Sequence, residues 1–144
     1  MTGTRSIRYR TLGCLFLVVH SRDEASDPEW DAYMLDLRQH RQRVGDSFQM
    51  MVYALGGQPT ASQRARLTRA LDGQAVPLAV LSESIKVRGV VTALSWFNAR
   101  IRFFKPGQFD DAVRFLPAPL DPDAVRSAVR SLCQELNVDR SSWL

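Results

Sequence analysis

The chain has 144 residues, 45% hydrophobic and 24% charged, which is enough for one buried core and too ordinary a mixture for wholesale disorder or a membrane class. Its formal charge of +4 rests on arginine, with Lys86 and Lys105 the only lysines. So small an excess, without a dense basic patch interleaved with aromatics, does not point to nucleic acid.

Ser6 to Thr11, with Ile7 and Tyr9 alternating, and Cys14 to His20 predict two strands, and the Leu12-Gly13 break predicts that they pair as an antiparallel hairpin. The run Cys14 to Val19 is far short of the roughly 20 residues that a membrane helix needs, so no membrane span is expected. Behind an arginine-rich start and without a small-residue cleavage site, that run suits a buried strand better than a signal peptide, which makes cytoplasmic residence the expectation. Ser26-Asp27-Pro28-Glu29 offers a capping box and an early proline. The helix it opens places Trp30, Tyr33, Met34 and Leu37 on one face and stops near Gly45.

Phe48 to Leu55 is apolar on both faces, as a strand covered on both sides must be, and Gly56-Gly57 ends it. Thr60-Ala61-Ser62-Gln63 is a second capping box, opening a helix whose Leu67, Ala70 and Leu71 form a stripe up to Gly73. Val76 to Leu81 predicts the next strand, with Pro77 tolerated near its start. Val87, Val90, Val91, Leu94 and Phe97 then repeat as a third helix would, and Arg100 to Phe104 predicts a fifth strand. Phe109 to Leu116 predicts a short helix, and Pro117-Ala118-Pro119 ends it. Asp121 and Pro122 open a last helix with the stripe Val125, Ala128, Val129, Leu132 and Leu136. The order predicts one α/β domain: a mostly parallel five-stranded sheet with an N-terminal antiparallel hairpin, helices covering it, and an extra C-terminal helix.

This order, over about residues 5 to 116, resembles the STAS fold of bacterial anti-sigma factor antagonists and the related Sec14-like lipid-binding domains. Locally, Gly56-Gly57-Gln58-Pro59-Thr60-Ala61-Ser62-Gln63-Arg64 and the stretch from Val87-Arg88-Gly89-Val90 to Trp96-Phe97-Asn98 are similar to small STAS-like bacterial proteins. The resemblance implies a non-catalytic regulatory module. In that family the loop between the third strand and the second helix holds a serine or threonine, phosphorylated by a partner kinase that the domain docks. The matching positions here are Thr60 and Ser62, although Gly57-Gln58-Pro59 stands where the family has an acidic residue ahead of its Ser-Ser or Thr-Ser pair. The Sec14-like side of the likeness implies the alternative, a carrier holding a lipid or nucleotide between helices and sheet.

Phosphate on Thr60 or Ser62 would meet the free amides of the second helix, whereas unmodified Thr60 is simply its N-cap. Gly56 and Gly57 lie where open α/β sheets place a ligand crevice, but a tight turn is the favoured purpose, because a dinucleotide or P-loop pattern is missing. Arg64, Arg66 and Arg69, with Lys86 and Arg88, are expected along one sheet edge, as a basic rim for an acidic partner or as solvated helix faces. Together with Gln58 they make up the expected partner-binding edge. Trp96 falls off the stripe of its helix, so core packing is expected for it, with a ligand lid or a dimer interface as rivals. Cys14 and Cys133 read as buried free thiols. His20 and His40 lack partners at metal spacing, Asp110 and Asp111 point apart, and no nucleophile motif is present. The expectation is therefore a protein-binding module without enzyme activity, metal or cofactor, engaging a kinase or an anti-sigma-like regulator, with a homodimer left open.

Overall fold

The computed structural model describes residues 6–138, and the Trp143-Leu144 pair falls outside them. Five strands form one sheet in the order β1-β2-β3-β4-β5: Ile7–Leu12, Leu15–His20, Gln49–Ala54, Leu78–Leu81 and Ile101–Phe104. The hairpin closes over Gly13 and Cys14, with Gly13 at a φ of +56°. β2 to β5 are parallel to one another. Pro77 sits just before β4, where it lacks only an N–H, and its carbonyl accepts from the Met50 N–H at 2.9 Å.

Helices α1 (Asp27–Val44), α2 (Ala61–Ala70) and α3 (Ile85–Ser95) connect the parallel strands. Because successive strands are laid down in one direction, right-handed crossovers place all three helices on the same face. The residues of the two buried clusters agree. Ile7, Phe16, Val18, Met50, Leu78, Val80 and Ile101 pack with α1 to α3. Leu15, Leu17, Val19, Met51, Tyr53, Ala79 and Leu81 pack with α4 (Phe109–Phe115) and α5 (Pro122–Glu135). The alternation within each strand thus supplies two cores from one sheet. α5 lies across β1 and β2, so the last helix packs on its own domain.

Four details depart from the sequence reading. The capping box of α1 is half made: Ser26 Oγ accepts from the Glu29 N–H at 3.3 Å, but the Glu29 carboxylate instead accepts from the N–H groups of Ser6 and Ile7, at 2.7 and 3.0 Å. It thereby tethers the edge strand β1 to α1. α3 ends at Ser95, so Trp96 and Phe97 lie beyond the stripe and are 82% and 67% exposed, against the core packing expected of Trp96. Asn98 turns inward in their place, donating to the Val76 carbonyl at 2.9 Å. Cys133 is buried, whereas Cys14, in the hairpin turn, is only half-buried.

Candidate ligand pocket between the sheet and the helices

Strand register sets the floor of the site. Phe16, Met50, Leu78 and Ile101 form one row across the helical face, Val18, Val52, Val80 and Phe103 the next, and His20 stands beside Ala54 at the carboxyl end. Over this floor the helix layer is uneven. α1 and α2 pack closely, while α3 leans on β5 and scarcely touches α2. Two contacts pull α2 toward α1: the buried Gln63 amide donates to the Ala25 carbonyl at 2.9 Å, and Arg66 reaches Asp31 at 3.1 Å and Asp27 at 3.4 Å. On the other side, the Arg88 guanidinium lies 5.9 Å from the centre of the Phe103 ring, spanning α3 and β5.

The consequence is a seam. Val52, on the central strand, stays only partly buried, although a strand covered on both faces would hide it. A cavity of about 70 Å³ opens there, against the ~10–15 Å³ that one water needs. Val18, Met50, Val52 and Val80 make its floor, Trp30, Tyr33 and Leu67 one wall, and Val87, Val91 and Leu94 the other. Gln58 and Pro59 border it, and a smaller void of about 20 Å³ continues the seam along Leu71, Leu94 and Ile101.

The lining is almost wholly apolar and carries no carboxylate, lysine or arginine. Beside the Gln58 amide and the Tyr33 phenol, two lining residues carry buried ring nitrogens without partners. His20 is 4% exposed and Trp30 3%, and neither His20 Nε2 nor Trp30 Nε1 has a hydrogen-bond partner. His20 Nδ1 lies 3.0 Å from the Ser21 carbonyl, which can only accept, so Nδ1 carries the proton and Nε2 presents a lone pair. The imidazole is held below its ordinary value of 6.5 chiefly by burial, against smaller opposing pulls from the Ser21 carbonyl, Glu29 and Asp23. It is therefore neutral at pH 7. Burial pushes the Tyr33 phenol well above its ordinary value, so the walls are uncharged. The cavity itself is thus an uncharged, apolar chamber, and the two ring nitrogens are buried behind its walls, where an unmet polar atom costs about 1–3 kcal/mol.

Gly57 explains how His20 is held. A Cβ at this position would lie 2.4 Å from the carbonyl oxygens of Ser21 and Asp23 and 2.6 Å from His20 Cε1. Its N–H donates to the Ser21 carbonyl at 2.9 Å. Gly57 is buried by this contact and cannot form part of a docking edge, whereas Gly56 and Gln58 are partly exposed. The close approach that a glycine permits is used here between two segments of the chain itself.

The other expected site residues scatter. Thr60 Oγ1 accepts from the Gln63 N–H and the Gln63 side chain accepts from the Thr60 N–H, each at 3.1 Å, so that hydroxyl is already the helix cap. Ser62, in the first turn of α2, is exposed. Arg64 donates to the Pro59 carbonyl at 3.2 Å. Arg66 and Arg69 share a shallow depression with Arg38 on α1, while Arg88 lines a separate cleft with Ser84 and Lys105 beside β5. The basic residues are therefore divided between two places, not gathered on one rim. His40 is buried under the hairpin, its Nε2 2.8 Å from the Gly13 carbonyl. Among the described residues, no group of three or more His, Cys, Asp or Glu side chains could hold a metal, and no helix is long and apolar enough to cross a membrane.

Sequence reasoning passed over His20 as a lone histidine and took Trp30 as ordinary core. The signal for the pocket was tertiary, and only Gly57 marked it in the sequence. No family model, curated protein or solved structure matches the chain.

Two predictions follow from this geometry. Gly57→Ala should lower stability by about 1–3 kcal/mol through overpacking, whereas Gly89→Ala, in α3 with open space around it, should raise it by about 0.5–1 kcal/mol; denaturant melts of the pair measure both. Because unfolding releases His20 to its ordinary value, the unfolded chain binds the extra proton below pH 6.5, and stability must fall as pH drops through that region. Thermal melts across the range should show this slope in the wild type and a flatter one in His20→Gln; parallel curves would contradict the assignment.

Proposed function

We propose that this protein is a non-catalytic binding domain that holds a small, uncharged, largely apolar molecule between its sheet and its helices. One observation carries the reading: the apolar cavity along the α2–α3 seam leaves Val52 of the central strand only partly buried, and its lining carries no charged side chain. A wall evolved only for packing would have closed over Val52. The cavity lies on the sheet face beneath α2 and α3, and it corresponds to the carrier alternative implied by the Sec14-like likeness.

A second reading is favoured by a different observation. The outer face of α3 carries Ile85, 87% exposed, and Trp96, with the small residues Gly89 and Thr92 between them, and Phe97 follows. Bulky apolar side chains left in water on one helix face suit a protein contact, as in a regulatory module of the anti-sigma factor antagonist kind. In that reading Ser62, exposed near the start of α2, is better placed for a charge switch than Thr60, whose hydroxyl is the cap.

Filling the cavity distinguishes the two. With toluene as probe at about ten times its dissociation constant, the wild type should gain about 1.4 kcal/mol, a shift in Tm of about 3–5 °C. Val52→Phe should melt higher than wild type without the probe and fail to respond to it, while leaving capture of any protein partner by α3 intact. A wild type whose Tm ignores toluene and other single-ring apolar probes would refute the ligand reading.

A further inference from the structure

The exposed face of α3 is self-complementary. Ile85, Gly89, Thr92 and Trp96 follow one another at intervals of four, three and four residues, a series that reads the same from either end. Trp96, the C-cap, still has helical backbone angles, so the four positions fall within about 60° of arc, opposite the buried Val87 and Val91. All four are exposed. We infer that this face is a homodimer interface, in which α3 packs antiparallel against α3 of a second copy across a two-fold axis. Ile85 then meets Trp96 of the partner subunit, and Gly89 meets Thr92 of the partner subunit. The inference rests on the second reading above, for which it names the occupant, and it is independent of the cavity.

Gly89 stands in the middle of the helix, where a glycine costs about 1 kcal/mol relative to alanine. A Cβ there would meet nothing within 4 Å, so the fold of one protomer has no use for the missing side chain. A helix crossing over Gly89 and Thr92 does. Small side chains at the centre let two axes approach to the near end of the usual ~8–10 Å, and the bulky Ile85 and Trp96 close over both ends of the contact. Charge selects the direction. Lys86 and Arg88 occupy the first turn of α3 without an acid, and the last turn has no base, the reverse of what the helix dipole favours. An antiparallel copy brings its carbonyl-rich end beside these cations and sets its own cations beside the carbonyl-rich end of the first helix. A parallel copy would put Lys86 and Arg88 against themselves, whereas the antiparallel pair parts the two Lys86 residues by about 14 Å along the axis, beyond the ~8 Å screening length of physiological salt. Such a contact uses the same patch on both chains and closes after two.

Sedimentation equilibrium of the full chain between about 1 and 500 µM tests this. The mean mass should rise from that of one chain toward twice that value, with a dissociation constant in the micromolar range that suits a small interface. Trp96→Ala removes an anchor from each side of the contact and should raise that constant by at least about thirtyfold. Gly89→Gln should leave the chain monomeric throughout. Its Tm at about 1 µM should be no lower than that of the wild type, because glutamine favours the helix and has open space in one protomer. A wild type that stays monomeric to about 500 µM overturns the inference and leaves α3 to a different protein. A dimer that ignores both substitutions is built on another face and overturns it as well. Failure of the second reading is a different result: a partner protein that binds wild type and Trp96→Ala alike.

Discussion

A single close contact between two loops sets the geometry on which the site depends. Gly57 lies so near the carbonyls of Ser21 and Asp23 that no side chain could be added, and its N–H bonds to the first of them. This fixes the end of β3 against the end of β2. His20 is caught beneath it with one ring nitrogen committed to Ser21 and the other facing no partner. The same contact directs the chain through Gln58 and Pro59 along the border of the cavity and into the cap of α2.

The rest of the pocket comes from how three helices divide the cover of one sheet face. α2 is drawn to α1 by the Gln63 amide and the Arg66 ion pairs, while Arg88 over Phe103 joins α3 to β5 and the Asn98 turn that follows α3 is tied to the Val76 carbonyl ahead of β4. The surface pairs are individually weak, but the buried amide is not readily given up, because removing its partners would strand it. The layer therefore parts between α2 and α3, above the centre of the sheet. The opposite face shows the contrast: there α4 and α5 cover Leu17, Met51 and Ala79 completely. An apolar opening on one face and a closed core on the other are products of the same strand alternation.

Much of the fold was legible in the amino-acid sequence, because its signals are local. The two-residue hairpin at Gly13, the caps at Ser26, Thr60 and Asp121, and strands apolar on both faces at Leu15–His20 and Gln49–Ala54 all follow from spacing and turn chemistry. The misreadings arose where tertiary competition decided the outcome. The periodicity of α3 runs on to Phe97, but burying Asn98 against the Val76 carbonyl ends the helix early and turns Trp96 and Phe97 to solvent. The Glu29 carboxylate left its capping box for the unpaired edge of β1. Gly57 was visible as a glycine, yet its crowding by Ser21 and Asp23 depends on residues more than thirty positions away. The arginines were visible too, but only packing could assign Arg66 to Asp31 and Arg88 to Phe103.

The central claim is that the seam over Val52 is an apolar chamber open to a small guest. A crystal of the protein pressurised with xenon tests it most directly, since this gas enters dry apolar cavities and avoids packed cores and polar clefts. A xenon atom bounded by Val52, Leu67 and Val91, with none in the core beneath α5, is the result the account predicts. Crystals that take up no xenon at the seam, with Val52 sealed under α2 and α3, would contradict it.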